Sequence, residues 1–231
     1  MKLFVFISSR HRALLLLGLA IGCAPTSRAD WQASGQGLFF YTDDVGVFSA
    51  TRRLTRDGDP TQPALDSMLT GQGSDFVFEP QLDVGNSFEN ALGKTTLDMQ
   101  GGGFIYGDNS RYNHGTLRVQ AKQAFTPETS LLLRYYYSPD LFLGDNEERH
   151  TGQGLTVGEQ VTSHIGSARL SHELVEGLEI KFLARYGIRR YNPAFSERNT
   201  DFWTVGPHLE WRFLPKAMSL DHQVFFRVLP P

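Results

Sequence analysis

The chain has 231 residues, 40% of them hydrophobic, and a formal net charge of −3, which suits one folded domain. Its balance is acidic, and nucleic-acid binding relies on Lys and Arg neutralising phosphates, so that class is set aside. The longest apolar run lies near the amino terminus and falls far short of the ~20 residues of a spanning helix. A membrane reading therefore requires a β-barrel.

Residues 1–29 read as a secretory signal peptide. Lys2, Arg10 and Arg12 form the charged start and Ala13 to Ala24 the apolar core. Ser27-Arg28-Ala29 supplies small residues at the −3 and −1 positions of a cleavage site. Removal takes away four positive charges and no negative ones, moving the formal charge from −3 to −7. The single cysteine, Cys23, lies in this segment, so the mature chain carries no disulfide. Leu19-Ala20-Ile21-Gly22-Cys23 also resembles a lipoprotein box, which leaves lipidation of Cys23 as a rival to cleavage after Ala29.

Residues 30–74 suggest an irregular first strand, Gly37 to Ser49, and then a long Gly/Asp/Thr/Pro-rich loop from Thr51. Asp57-Gly58-Asp59 lacks further ligands at calcium-loop spacing and reads as a turn. From Asp75 onward, stretches alternate apolar and polar residues. Strand side chains point to alternate faces, so each such segment has one apolar and one polar face.

Strand two spans Phe76–Phe88, with Phe76, Phe78, Leu82 and Val84 alternating with Val77, Glu79, Gln81 and Asp83. Strand three, Thr95–Tyr106, contains Gly101-Gly102-Gly103, a sign of curvature or a close neighbour. Strands four and five are His114–Phe125 and Ser130–Ser138, and a long polar loop fills 139–160. Strands six to nine are Val161–Leu174, Leu178–Tyr191, Phe202–Phe213 and roughly Met218–Val228. Short and long connections alternate, and Tyr and Trp gather at strand ends, as in outer-membrane barrels. The fold class is all-β, an antiparallel up-and-down transmembrane β-barrel. It is incomplete, since about nine strands are visible and bacterial single-chain barrels have even counts.

Three segments carry a family resemblance: Phe40-Tyr41-Thr42-Asp43-Asp44-Val45-Gly46, Pro139-Asp140-Leu141-Phe142-Leu143-Gly144 with Asn146-Glu147-Glu148-Arg149, and Tyr186-Gly187-Ile188-Arg189-Arg190-Tyr191-Asn192. They resemble segments of uncharacterised bacterial outer-membrane β-barrel proteins, over most of the mature chain up to about Phe213. The resemblance implies the fold and the membrane and brings no catalytic residue. Family members continue with more hairpins, and this chain departs from them after Phe213.

Chemistry-bearing constellations are weak. Asp43-Asp44 and Asp221-His222 suit a rim protease, and Ser163 with His164 a rim hydrolase, but adjacent strand residues face opposite ways. His164 and His172 share a face yet stand ~26 Å apart, too far to share a metal. The polar face offers more. Arg118, Arg134, Arg169, Arg185 and Arg189 form a basic lumen patch, joined by Lys122 and Lys181. Glu79, Asp83, Asp98, Glu173, Glu179 and Glu210 are the acidic lumen residues. Either these charges line a water-filled channel and set its selectivity, or they pair and plug a narrow barrel. The expected protein is therefore a porin-like or transport-assisting, non-enzymatic barrel without cofactor or metal. Its expected partners are outer-membrane lipid and the barrel-assembly machinery, with no nucleic acid. A structural or surface-interaction barrel is the alternative, and a barrel-rim hydrolase the second.

Overall fold

A computed structural model describes residues 30–46, 48–49, 73–148, 152–214, 218–223 and 226–228, with backbone alone from 213 onward. The expected signal peptide, Cys23 and Asp57-Gly58-Asp59 lie outside the described residues.

The chain forms one sheet of strands β1 (Asp30–Thr42), β2 (Asp75–Asn90), β3 (Gly93–Tyr106), β4 (His114–Ala124), β5 (Thr129–Glu147), β6 (Thr156–Val175), β7 (Leu178–Tyr191), β8 (Thr200–Leu214), β9 (Met218–Gln223) and β10 (Phe226–Val228). β1 to β8 lie side by side in sequence order, each antiparallel to the next. β9 and β10 both pair with β8, placing Gln223 opposite His208 and Phe226 opposite Val205. They are two lengths of the expected ninth strand. No pairing among the described residues joins β1 to β9 or β10, so this sheet is open.

A two-residue turn, Ala91 and Leu92, joins β2 to β3. Its closing residue Gly93 has φ +112°, and a side chain there would run into the Ala124 carbonyl of β4. Glycine is therefore required on two grounds. In the glycine run of β3, Gly103 is the position with a close neighbour, the His114 carbonyl, while Gly101 faces open space.

Two strands differ from the expected bounds. β1 starts at Asp30 and ends at Thr42, and Val45 and Phe48 beyond it have helical backbone. One face of β1 presents Ala33, Gly35 and Gly37, whose small side chains leave no alternation to read. β5 runs past Ser138 to Glu147, and β6 begins at Thr156, so most of the expected loop 139–160 is a projecting hairpin. Pro139 and Asp140 drop out of the ladder, since pairing jumps from Ser138 to Leu141, and Asp140 has φ +40°. This bulge breaks the two-residue period that the sequence reading depends on.

The two faces differ sharply. One carries Leu82, Met99, Ile105, Leu133, Leu170, Ile180, Phe182, Trp203, Leu209 and Trp211, all exposed. The other holds the basic and acidic residues expected to line a lumen and, toward the long connections, an apolar core. Val45, Val77, Phe104, Tyr106, Tyr112 and Phe142 cluster there with Phe40 and Phe48, beside a second group of Leu141, Leu143, Val161 and Tyr191.

Candidate functional site

Strand register arranges the polar face in rows. One row runs Ser34, Asp83, Gln100, Arg118, Tyr136, Ile165, Gly187, Phe202 from β1 to β8. The next runs Gln32, Gly85, Asp98, Gln120, Arg134, Ser167, Arg185, Thr204. Arg169 lies one row further, opposite Leu132 and Leu183, and Arg189 lies opposite Ser163 and Thr200. The expected basic residues therefore share one face over β4 to β7, with acidic Glu79, Asp83 and Asp98 beside them on β2 and β3.

Amide side chains connect the two signs. Gln81 and Gln100 each donate to Asp83, at 2.7 and 2.6 Å. Gln120 donates to Asp98 at 3.3 Å and accepts from Arg134 Nε at 3.2 Å. Arg189 lies over the Phe202 ring, 5.2 Å from its centroid. Glu79 is buried beside the apolar core. Arg169 has no ion-pair partner among the described residues.

The acidic residues near the short turns belong to a separate cluster. Lys181 Nζ lies 2.5 Å from Glu210 and 3.1 Å from Glu179, and Arg212 Nε lies 2.7 Å from Glu210. Glu173 accepts the Gly177 N–H and braces the β6–β7 turn. These carboxylates are matched locally and do not oppose the basic patch.

Between β1 and β4 the polar face opens into a hollow of about 410 Å³. Gln32, Ser34, Asp83, Asp98, Gln100 and Arg118 line it. A methyl group on Gly85 would stand 3.1 Å from Asp98 Oδ1, so this glycine keeps the floor open.

At the long-connection end, three contacts that the sequence does not announce tie the connections down. Asp75 accepts hydrogen bonds from the backbone N–H groups of Gly107, Asp108 and Asn109 and from the Asn109 amide. Burial pushes the Asp75 carboxyl upward, but the bonds from Asn109 and Asp108 outweigh it and hold the group below its ordinary value. Buried Glu159 accepts from Asn146 at 2.6 Å and Arg198 at 2.5 Å, joining the projecting hairpin to the 3-10 turn Pro193–Arg198. Arg111 pairs with Asp145 at 2.7 Å. Apart from Asn146 with Glu159, which face each other across the hairpin, each partner lies more than thirty residues from its mate, so no spacing motif marks it.

Ser163 and His164 point to opposite faces of the sheet. Ser163 is buried on the polar face, while His164 on the other face stacks on Tyr137 and bonds the Tyr135 hydroxyl at 2.7 Å. His172 bonds Thr129 near a short turn. Asp44 caps its own turn through the Gly46 N–H, and the side chains of Asp221 and His222 lie outside the described residues. No group of three or more His, Cys, Asp or Glu suited to a metal occurs among the described residues. Comparison with family models, curated proteins and solved structures finds no match.

Proposed function

We propose that this chain is the wall of a bacterial outer-membrane β-barrel, porin-like or transport-assisting and non-enzymatic. It reaches the membrane through a cleaved signal peptide, and lipid and the barrel-assembly machinery are its partners. The observation that carries the reading is the exposed apolar face. Large side chains from β2, β3 and β5 to β8 stand uncovered on it, and water-soluble monomers rarely expose an apolar surface of this extent.

Its dimensions support a membrane. Trp203 and Trp211 both stand exposed on β8. They are ~26 Å apart along the strand, or about 20 Å in depth at the usual barrel tilt, close to the ~25 Å apolar band of outer-membrane barrels. Tyr41 packs on Phe76 and Phe39 on Phe78 toward the long connections, with ring centroids 5.2 and 4.6 Å apart. Aromatic rings at strand ends suit the interfacial level of a bilayer.

One observation favours the second reading, a closed structural barrel: the apolar cluster around Phe104, Tyr112 and Phe142 fills the polar face at one end. Single-channel recording in planar bilayers separates the two. The porin-like reading expects steady current, biased toward anions by the basic patch, and Arg185→Glu should reduce that bias. Absence of current, with Arg185→Glu lowering thermal stability, would overturn it in favour of the closed barrel. Recovery of the mature chain from the periplasm as a soluble monomer would overturn both.

A further inference from the structure

Arg169 of β6 stands on the polar face with no carboxylate among its neighbours there. Leu132 of β5 and Leu183 of β7 flank it along its row. Ser167 and Ser171 lie two residues away on the same face of β6. At the diagonals stand Ser130 and Arg134 on β5 and Lys181 and Arg185 on β7. The row continues past Leu132 to Lys122 of β4, so two strand spacings, ~10 Å, separate the backbones of Lys122 and Arg169. Both side chains are long enough to cross one spacing, and their heads can meet above Leu132.

These groups are uncommitted. Neither Arg169 nor Lys122 has a side-chain partner among the described residues, and neither do the hydroxyls of Ser130, Ser167 and Ser171. The nearest carboxylates on β5 to β7, Glu173 and Glu179, lie two rows away, ~13 Å along the strands. Glu173 accepts the Gly177 N–H and Glu179 pairs with Lys181. On the far side of Lys122, Asp98 of β3 takes the Gln120 amide. Arg169 is half-buried between two leucines, where an unmatched charge is screened less than in open water.

The donors decide which anion fits. A guanidinium fork alone would occupy both oxygens of a carboxylate, leaving Lys122 and the serines idle. A phosphate group carries up to two negative charges and at least three strong acceptor oxygens. It can use the fork of Arg169, the point charge of Lys122 and the serine hydroxyls together. We propose that Arg169 and Lys122, with Ser130, Ser167 and Ser171, form a phosphate-binding site on the polar wall, for the free ion or the phosphoryl end of a small monoester. Arg134 and Arg185 need add no contact. For its use in transport the proposal rests on the porin-like reading, and it deepens that reading from a general anion bias to a named class of solute.

Isothermal titration of the refolded full-length chain in detergent with inorganic phosphate, at about pH 8 where the ion is mostly doubly charged, tests it independently of conductance. Saturable binding at millimolar concentration is expected, about tenfold or more tighter than acetate or chloride. Arg169→Gln should weaken phosphate about tenfold or more, because it removes charge-assisted contacts. Lys122→Gln, at an exposed position, should weaken it severalfold. Arg190→Gln, which loses the same charge on the opposite face, should leave it unchanged. Tighter binding of glycerol phosphate would assign the site to monoesters, and tighter binding of the free ion to inorganic phosphate; either supports the site. Absence of saturation, acetate binding as tightly as phosphate, undiminished binding by Lys122→Gln, or an equal loss in Arg190→Gln would each overturn it. The anions are compared on the unaltered chain, so failure of Arg169→Gln to refold does not remove the test. Phosphate binding without current would retain the site and refute the channel, whereas current without phosphate binding would do the reverse.

Discussion

Replacing Phe182 with arginine asks directly what solvent covers the apolar face. Phe182 is 50% exposed and stands on β7 between Leu170 of β6 and Pro207 of β8. Pro207 lies midway along β8 between Trp203 and Trp211, so Phe182 is close to the middle of the apolar band. In water, half of this ring would already be outside, and Phe182→Arg should cost no more than about 1 kcal/mol. In a bilayer the same guanidinium would sit in hydrocarbon and should cost ~2–4 kcal/mol. Lys181→Arg, one residue away on the polar face, keeps a charge beside Glu210 and should shift stability by less than about 1 kcal/mol. Urea unfolding of the two variants in phospholipid vesicles gives the comparison. Equal losses for both would refute the membrane wall, because they would indicate a sheet buried alike on both faces. A Phe182→Arg loss near zero in vesicles would refute it as well.

Other outcomes follow from the tied connections and the packed polar face. Asp75 is held below the usual carboxylate range, so its contribution is complete above the unfolded value of about 3.9 and fades as pH falls through the folded value. Thermal scans should therefore show the wild type above Asp75→Asn near neutrality and the gap closing in strong acid; a gap that widens toward acid would contradict the assigned bonds. Glu159→Gln removes the carboxylate between Asn146 and Arg198 and should cost about 1–2 kcal/mol, since Arg198 is partly exposed. Faster proteolysis within the Pro193–Arg198 turn is the readout, and an unchanged cleavage rate would count against the tie. Phe202→Ala should cost ~3–5 kcal/mol for a fully buried ring. The ring occupies the space over Gly187, so Gly187→Ala should be destabilising alone and better tolerated beside Phe202→Ala; strictly additive losses in chemical denaturation would refute that packing.

The order of strands and the facing of most side chains were legible because period-two alternation runs undisturbed from Phe76 to Asp83 and from Trp203 to Phe213. The row relation of Arg134 to Arg185 follows from that same alternation once hairpin registers are fixed. Legibility failed where the alternation carries no contrast or breaks. Ala33, Gly35 and Gly37 give β1 a face without bulk. Asp140 shifts the phase of β5, so Leu141, Phe142 and Leu143 read as loop although they are buried. By alternation Val77 falls on the polar side, where it stands, but that side turns apolar near the long connections. No one-dimensional pattern reveals that change, because it depends on Tyr112 and Phe142 arriving from elsewhere. The hollow was hidden for the same reason, since its walls come from four strands.

The sequential antiparallel order also imposes a parity. If each strand opposes its neighbour, β1 and the ninth strand run the same way. Joined directly, these two edges would meet in parallel, with slanted and evenly spaced hydrogen bonds. An antiparallel seam needs an odd number of strands between them. A duplicated or deleted hairpin changes the count by two and never alters this mismatch. One strand offered from outside changes it at once. In the proposed membrane setting, where unpaired backbone groups are costly, a strand that closed this seam would have to run antiparallel to both edges whatever side chains it carried.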